Sequence, residues 1–179
     1  MLDREKTALL VVDVQERLFP HIHGHEALAD SLSRMVRGAA ALALPVVVTE
    51  QYVKGLGPTL GLLREEIEPF DPVEKMCFSC LGEPSLLDRI GKTGAKEILL
   101  SGIEAHVCVY QTACDLLERG YGVHLLADCV GSRSPRNLEL AVRRMEKLGA
   151  SLTSMEMALF ELMRVAGTPE FRKISKIVK

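Results

Sequence analysis

The sequence predicts an α/β fold: a three-layer α/β/α sandwich on a six-stranded, mostly parallel, Rossmann-like sheet of order 3-2-1-4-5-6. Three observations predict it. Short apolar runs of strand length alternate with longer segments of helical period, the pattern of successive βαβ units. The clearest runs are apolar without interruption, as strands buried on both faces are. Right-handed crossovers between parallel strands then leave few topologies. A chain of 179 residues suits one domain with a sizeable core, and residues 1–179 are read as a single domain with no repeat or linker.

The elements follow in order. Ala8 to Val12 (ALLVV) is the first strand, flanked by charge. Glu26 to Leu44, rich in Ala and Leu, is a long helix. Pro45 to Thr49 (PVVVT) is the second strand, with Pro at its first position, where the lost N–H matters least. Pro72 to Lys75 is a short third strand, and Pro84 to Thr93 a short helix with Leu86, Leu87 and Ile90 on one face. Glu97 to Ser101 (EILLS) is the fourth strand. Val107 to Arg119 carries Val109, Ala113, Leu116 and Leu117 at helical spacing, and Gly120 closes it. Gly122 to Ala127 (GVHLLA) is the fifth strand, Arg136 to Leu148 a helix ending at Gly149, and Ala150 to Thr153 a weaker sixth strand. Ser154 caps a last helix to Val165, with Gly167 past its end. The basic stretch from Phe171 to Lys179 is read as a solvated tail. Two segments lack regular pattern, Gln15 to His25 and Gln51 to Gly61. Both follow strands at the edge where open α/β sheets bind ligands. Gly55, Gly57 and Gly61 make the second a candidate mobile or tightly turning lid.

Composition excludes several classes. A formal net charge of −2 argues against nucleic acid as a partner. The N-terminal apolar run is too short for a signal peptide or membrane span, so neither a membrane nor secretion is expected and the protein is placed in the cytoplasm. Five cysteines is an odd number without framework spacing, and free thiols are expected in a reducing compartment.

Three residues could carry chemistry. Asp13 directly follows the first strand, at the carboxyl edge of the sheet. Lys75 ends the third strand. Cys108 falls in the first turn after the fourth strand, where backbone N–H groups and the helix dipole favour a thiolate and could hold an oxyanion. Order 3-2-1-4-5-6 makes strands one and four neighbours, which brings Asp13 to Cys108. Lys75 would favour the thiolate and Asp13 would hold the proton on sulfur, so the net direction depends on whether the two charges pair. Other signals are weaker. His21, His23 and His25 in PHIHGHE have no Cys or second carboxylate nearby to complete a zinc site. Cys77 and Cys80 form one CxxC without the second pair of a structural zinc or the flanks of a redox motif. Cys114 and Cys129 read as core. No GxGxxG follows the first strand, so no dinucleotide is expected.

The strings LLVVDVQ, EKMCFSC and SGIEAHVCVYQTACDLLERGY, in that order, resemble the isochorismatase-like cysteine hydrolases, and TEQYVKGLGPTL looks like their small single-domain branch. The resemblance covers nearly the whole chain. It implies a Cys108, Asp13, Lys75 triad acting on a small-molecule carbonyl substrate. It also implies a cis Ile103–Glu104 bond, an oxyanion hole from the backbone N–H groups of Glu104 and Cys108, and a homo-oligomer. Substrate contacts are expected from the irregular segments (Gln15, Phe19, Gln51, Tyr52) and from a neighbouring subunit. The nicotinamidases of this family bind a metal through Asp-x-His after the second strand. Here that place reads Glu50-Gln51-Tyr52, so neither metal nor other cofactor is expected. True isochorismatases lack the cysteine nucleophile, which leaves amide-type or thioester-type acyl transfer. The competing expectations are a scaffold that retains the fold and a redox protein using Cys77 and Cys80.

Overall fold

The computed structural model describes residues 1–179. Six parallel strands form one sheet in the order β3-β2-β1-β4-β5-β6, as the sequence predicts. The strands are β1 (Thr7–Val12), β2 (Val46–Gln51), β3 (Val73–Lys75), β4 (Glu97–Ile103), β5 (Gly122–Gly131) and β6 (Ser151–Thr153). The helices are α1 (His25–Ala41), α2 (Val53–Leu56), α3 (Gly61–Glu66), α4 (Pro84–Thr93), α5 (Tyr110–Glu118), α6 (Pro135–Lys147), α7 (Met155–Met163) and α8 (Pro169–Ile177).

The uninterrupted apolar runs are explained by two cores. Leu9 and Val11 face one cluster of 25 buried residues beneath α1 and α7. Ala8, Leu10 and Val12 face a second cluster of 23, against α4, α5 and α6. Period-two alternation therefore persists in β1, but both phases must be apolar.

Three expectations need correction. The basic tail is not solvated: Thr168 caps α8 by accepting from the Phe171 N–H at 3.1 Å, and Ile174 is buried in the first cluster. Its charges lie on the outer face, and composition alone hid the amphipathic period. Residues 51–61 are not wholly irregular, since they hold α2 and the start of α3. β2, β4 and β5 run past their expected ends, to Gln51, Ile103 and Gly131. Glu50, Gly102 and Asp128 interrupt the apolar runs just past those ends, so an apolar-run criterion stops short of the residues beyond them.

Candidate active site

Asp13 lies just past β1, where the backbone adopts a left-handed φ of 51°, a conformation Asp tolerates better than most residues. The turn aims its carboxylate across the carboxyl edge of the sheet. Oδ1 accepts from the Thr49 hydroxyl of β2 at 2.7 Å, and Oδ2 accepts from Lys75 Nζ at 2.6 Å. The Asp13 and Lys75 side chains are 1% and 0% exposed. Lys75 also donates to the carbonyls of Cys77 and Phe78 at 3.1 and 3.2 Å, so each ammonium hydrogen has an acceptor. Burial alone would pull the lysine pKa down. Burial is the largest single influence, but the neighbouring groups, Asp13 foremost, together prevail and hold the ammonium above the ordinary lysine value.

Cys108 sits in a π-helical turn (Ala105–Val109) between β4 and α5. The residue is 5% exposed, and its thiol donates to Gln51 Oε1 at 3.4 Å. Burial, followed by the Asp13 carboxylate, pushes its pKa up, against the downward pull of Lys75. Burial, with Asp13 behind it, thus gives the direction that sequence leaves open: the site favours the thiol form of Cys108. Cys80 is a second buried thiol here, 3.6 Å from Thr49 Oγ1, pushed up to about 12 by burial and Asp13. Its N–H donates to Thr112 Oγ1 at 3.0 Å, and Ser79 bonds Asp115. The loop after β3 is thereby pinned to the helix that follows Cys108.

The Ile103–Glu104 peptide is cis. The Glu104 carboxylate accepts from Arg133 N–H and Nε, each at 3.0 Å, and from Nη2 at 3.1 Å. Burial pushes this carboxyl up, but the Arg133 bonds and charge prevail and hold it below its ordinary value. Gly102 has φ 109°, and a Cβ there would stand 2.1 Å from the Val12 carbonyl oxygen. Only glycine lets β4 approach β1 this closely, beside Asp13.

Sequence reasoning names Asp13, Lys75, Cys108 and Gln51, and these meet in one place. Gln15 and Phe19 do not join them. The Gln15 amide donates to the Gln51 and Gly57 carbonyls at 2.9 and 2.6 Å and accepts from Gln51 N–H at 2.8 Å, while Phe19 packs in the first core cluster, against α1. Tyr52 is half-exposed on the rim of a cleft of about 450 Å³ with Lys54, Met76 and Cys77. Cys108 is not in that cleft's lining. The glycine-rich segment is tied down: Gly57 makes a left-handed turn at φ 76°, Arg17 reaches the Lys54 and Gly55 carbonyls, and Thr59 gives two bonds to Glu50. Thr49, Gly102 and Thr112 escape sequence reasoning because their parts depend on neighbours distant in the chain. The histidines of PHIHGHE do not converge. His21 and His23 are exposed, and His25 packs edge-on against Phe19.

An Isochorismatase domain matches residues 7–157. The chain belongs to the isochorismatase family. It is 38% identical over 176 residues to isochorismatase domain-containing protein 2A of Mus musculus, spanning 98% of this chain and 84% of that one. It is 40% identical over 179 residues to the secreted isochorismatase effector Isc1 of Phytophthora sojae, spanning 97% and 84%. Among solved structures, the MAR1 ribonuclease of Caenorhabditis elegans superposes with a TM-score of 0.93 at 37% identity, over 99% of this chain and 91% of that one. Membership in the isochorismatase family supports a hydrolase on the cysteine-hydrolase fold. No helix of this member is long and apolar enough to cross a membrane.

Proposed function

We propose that this isochorismatase-family protein is a cysteine hydrolase that cleaves a small carbonyl substrate, of amide or related type, through a covalent thioacyl intermediate on Cys108. The observation that carries the reading is the buried Lys75–Asp13 pair beside the Cys108 thiol, 2.6 Å between charged atoms. Folding alone does not call for such a pair, because an apolar replacement is often neutral or stabilising. Chemistry does call for it. Asp13 takes the proton from Cys108 sulfur as the sulfur attacks the carbonyl carbon. The oxygen becomes an oxyanion, received by the backbone N–H groups of Glu104 and Cys108. Collapse breaks the bond to the leaving amine, which takes the proton back from Asp13. Water, deprotonated by Asp13, then attacks the thioester, and the acid leaves as the proton returns to sulfur. Lys75 stays protonated throughout and keeps the carboxylate oriented.

Gln51 and Tyr52 stand nearest to contact the substrate. Single-domain organisation, a cytoplasmic setting and a homo-oligomer belong to the same reading, and the exposed Leu140, Leu148 and Met157 offer apolar surface for self-association, which light scattering would measure. The test is a panel of small amides, hydrazides and thioesters, with RNA as a further arm because a relative is called a ribonuclease. Turnover should appear with a carbonyl compound, vanish in Cys108→Ala, and fall by roughly 10²–10⁴ in Asp13→Asn. Intact mass should show the acyl adduct. Full turnover by Cys108→Ala, or turnover of RNA alone, overturns the mechanism, and no turnover with no adduct makes the chain a scaffold.

A further inference from the structure

Gln51 is held from both ends. Its backbone N–H and carbonyl are gripped by the Gln15 amide at 2.8 and 2.9 Å. Its side-chain Nε2 donates to the carbonyls of Met76 and Cys77 at 3.3 and 3.5 Å. The Cys77 carbonyl also accepts from Lys75 at 3.1 Å, so the amide is tied to the same loop as the ion pair. A flipped amide would set its oxygen against two carbonyl oxygens, so the orientation is fixed by chemistry. Oε1 must then face Cys108 Sγ, 3.4 Å away. Gln51 can accept the thiol hydrogen but cannot turn an N–H toward a thiolate.

We propose that Gln51 is a positioning residue for Cys108, its locked carbonyl capturing the thiol hydrogen and holding the nucleophile protonated until substrate displaces that contact. This rests on the reading of Cys108 as nucleophile. The other groups that act on the sulfur are Asp13 from the end of β1, Lys75 from β3 and Cys80 from the loop after it. Asp13 and Lys75 keep their bonds to Thr49, to each other and to the Phe78 carbonyl when the Gln51 side chain is changed. An amide oxygen aimed at sulfur favours thiol and disfavours thiolate, so its removal should make Cys108 more reactive, the reverse of what loss of an activating group does.

The experiment measures the rate of Cys108 alkylation by iodoacetamide across pH, read by peptide mass, in the wild-type protein, Gln51→Met and Gln51→Glu. Gln51→Met removes the acceptor at similar volume and should be alkylated roughly three- to tenfold faster, with its pH profile moved to lower pH, the size of one modest hydrogen bond. Gln51→Glu adds negative charge and should be slower than wild type. Opposite signs separate this role from loosened packing, which would accelerate both. Equal acceleration of both variants, or no acceleration in Gln51→Met, overturns the proposal. If Gln51→Met does not fold, Gln51→Leu takes its place: faster alkylation supports the role, and equal or slower alkylation overturns it. None of these rates depends on turnover, so failure here is distinct from failure of the hydrolase reading, which Cys108→Ala tests.

Discussion

Lys75 and Asp13 are each stripped of water, and a penalty of several kcal/mol per ion opposes their attraction. Removing one partner strands the other charge. Lys75→Met alone should therefore cost about 3–5 kcal/mol in denaturant unfolding. Adding Asp13→Asn removes the stranded charge and keeps a residue that accepts the left-handed backbone. The double variant should recover at least half of the loss while remaining inactive. A double variant no more stable than the single would mean that the pair is there for folding. The glycine next to this site obeys a different rule. Gly102→Ala would put a Cβ 2.1 Å from a backbone oxygen at φ 109°, and neither β1 nor β4 has room to yield. It should cost at least about 3 kcal/mol, measured by the same unfolding experiment, whereas an alanine at an open glycine such as Gly91, in α4, should be nearly neutral or mildly stabilising.

Helix α8 illustrates how an element can be legible yet misread. Its basic residues suggest solvent, but Thr168 followed by Pro169 is an N-cap and first-turn signal. Ile174 then falls on the face turned toward α1, with Ile177 and Val178 partly buried beside it. Ile174→Ala should lower stability by about 2–5 kcal/mol in thermal or denaturant melts, where a solvated tail would lose nothing. The glycine-rich segment is the converse case. Its composition suggests looseness, but bonds from Gln15, Arg17 and Glu50 tie it down. Those partners belong to β2 and to the turn after β1, and no local pattern announces them.

Across the whole molecule, buried thiols link stability to alkaline pH. The folded state holds Cys80 near 12, and Cys108, Cys129 and Lys75 are also raised. A raised pKa means that the folded protein keeps a proton the unfolded chain releases. That stabilisation is complete below the unfolded value and is lost as pH rises through the folded one. The melting temperature should thus fall steeply from about pH 9 upward. Cys80→Ala should flatten part of that slope. An identical slope in the variant would show that Cys80 does not titrate with folding.

Strand count, parallel direction, sheet order and the placement of Asp13, Lys75 and Cys108 at one edge were all legible in the sequence. The reason is that apolar runs bounded by polar residues follow directly from burial on both faces, and crossover handedness leaves little choice of order. The residues adjoining those strand ends inherit the carboxyl edge from the topology. Tertiary structure alone decided how the three residues are wired. That Lys75 binds Asp13, that Thr49 holds the other oxygen, and that Cys108 turns to Gln51 as a thiol depends on distances between segments 25 or more residues apart. Electrostatic balance in a dry site changes sign over such distances, so sequence order could place the charges at one edge but could not say which would prevail at the sulfur.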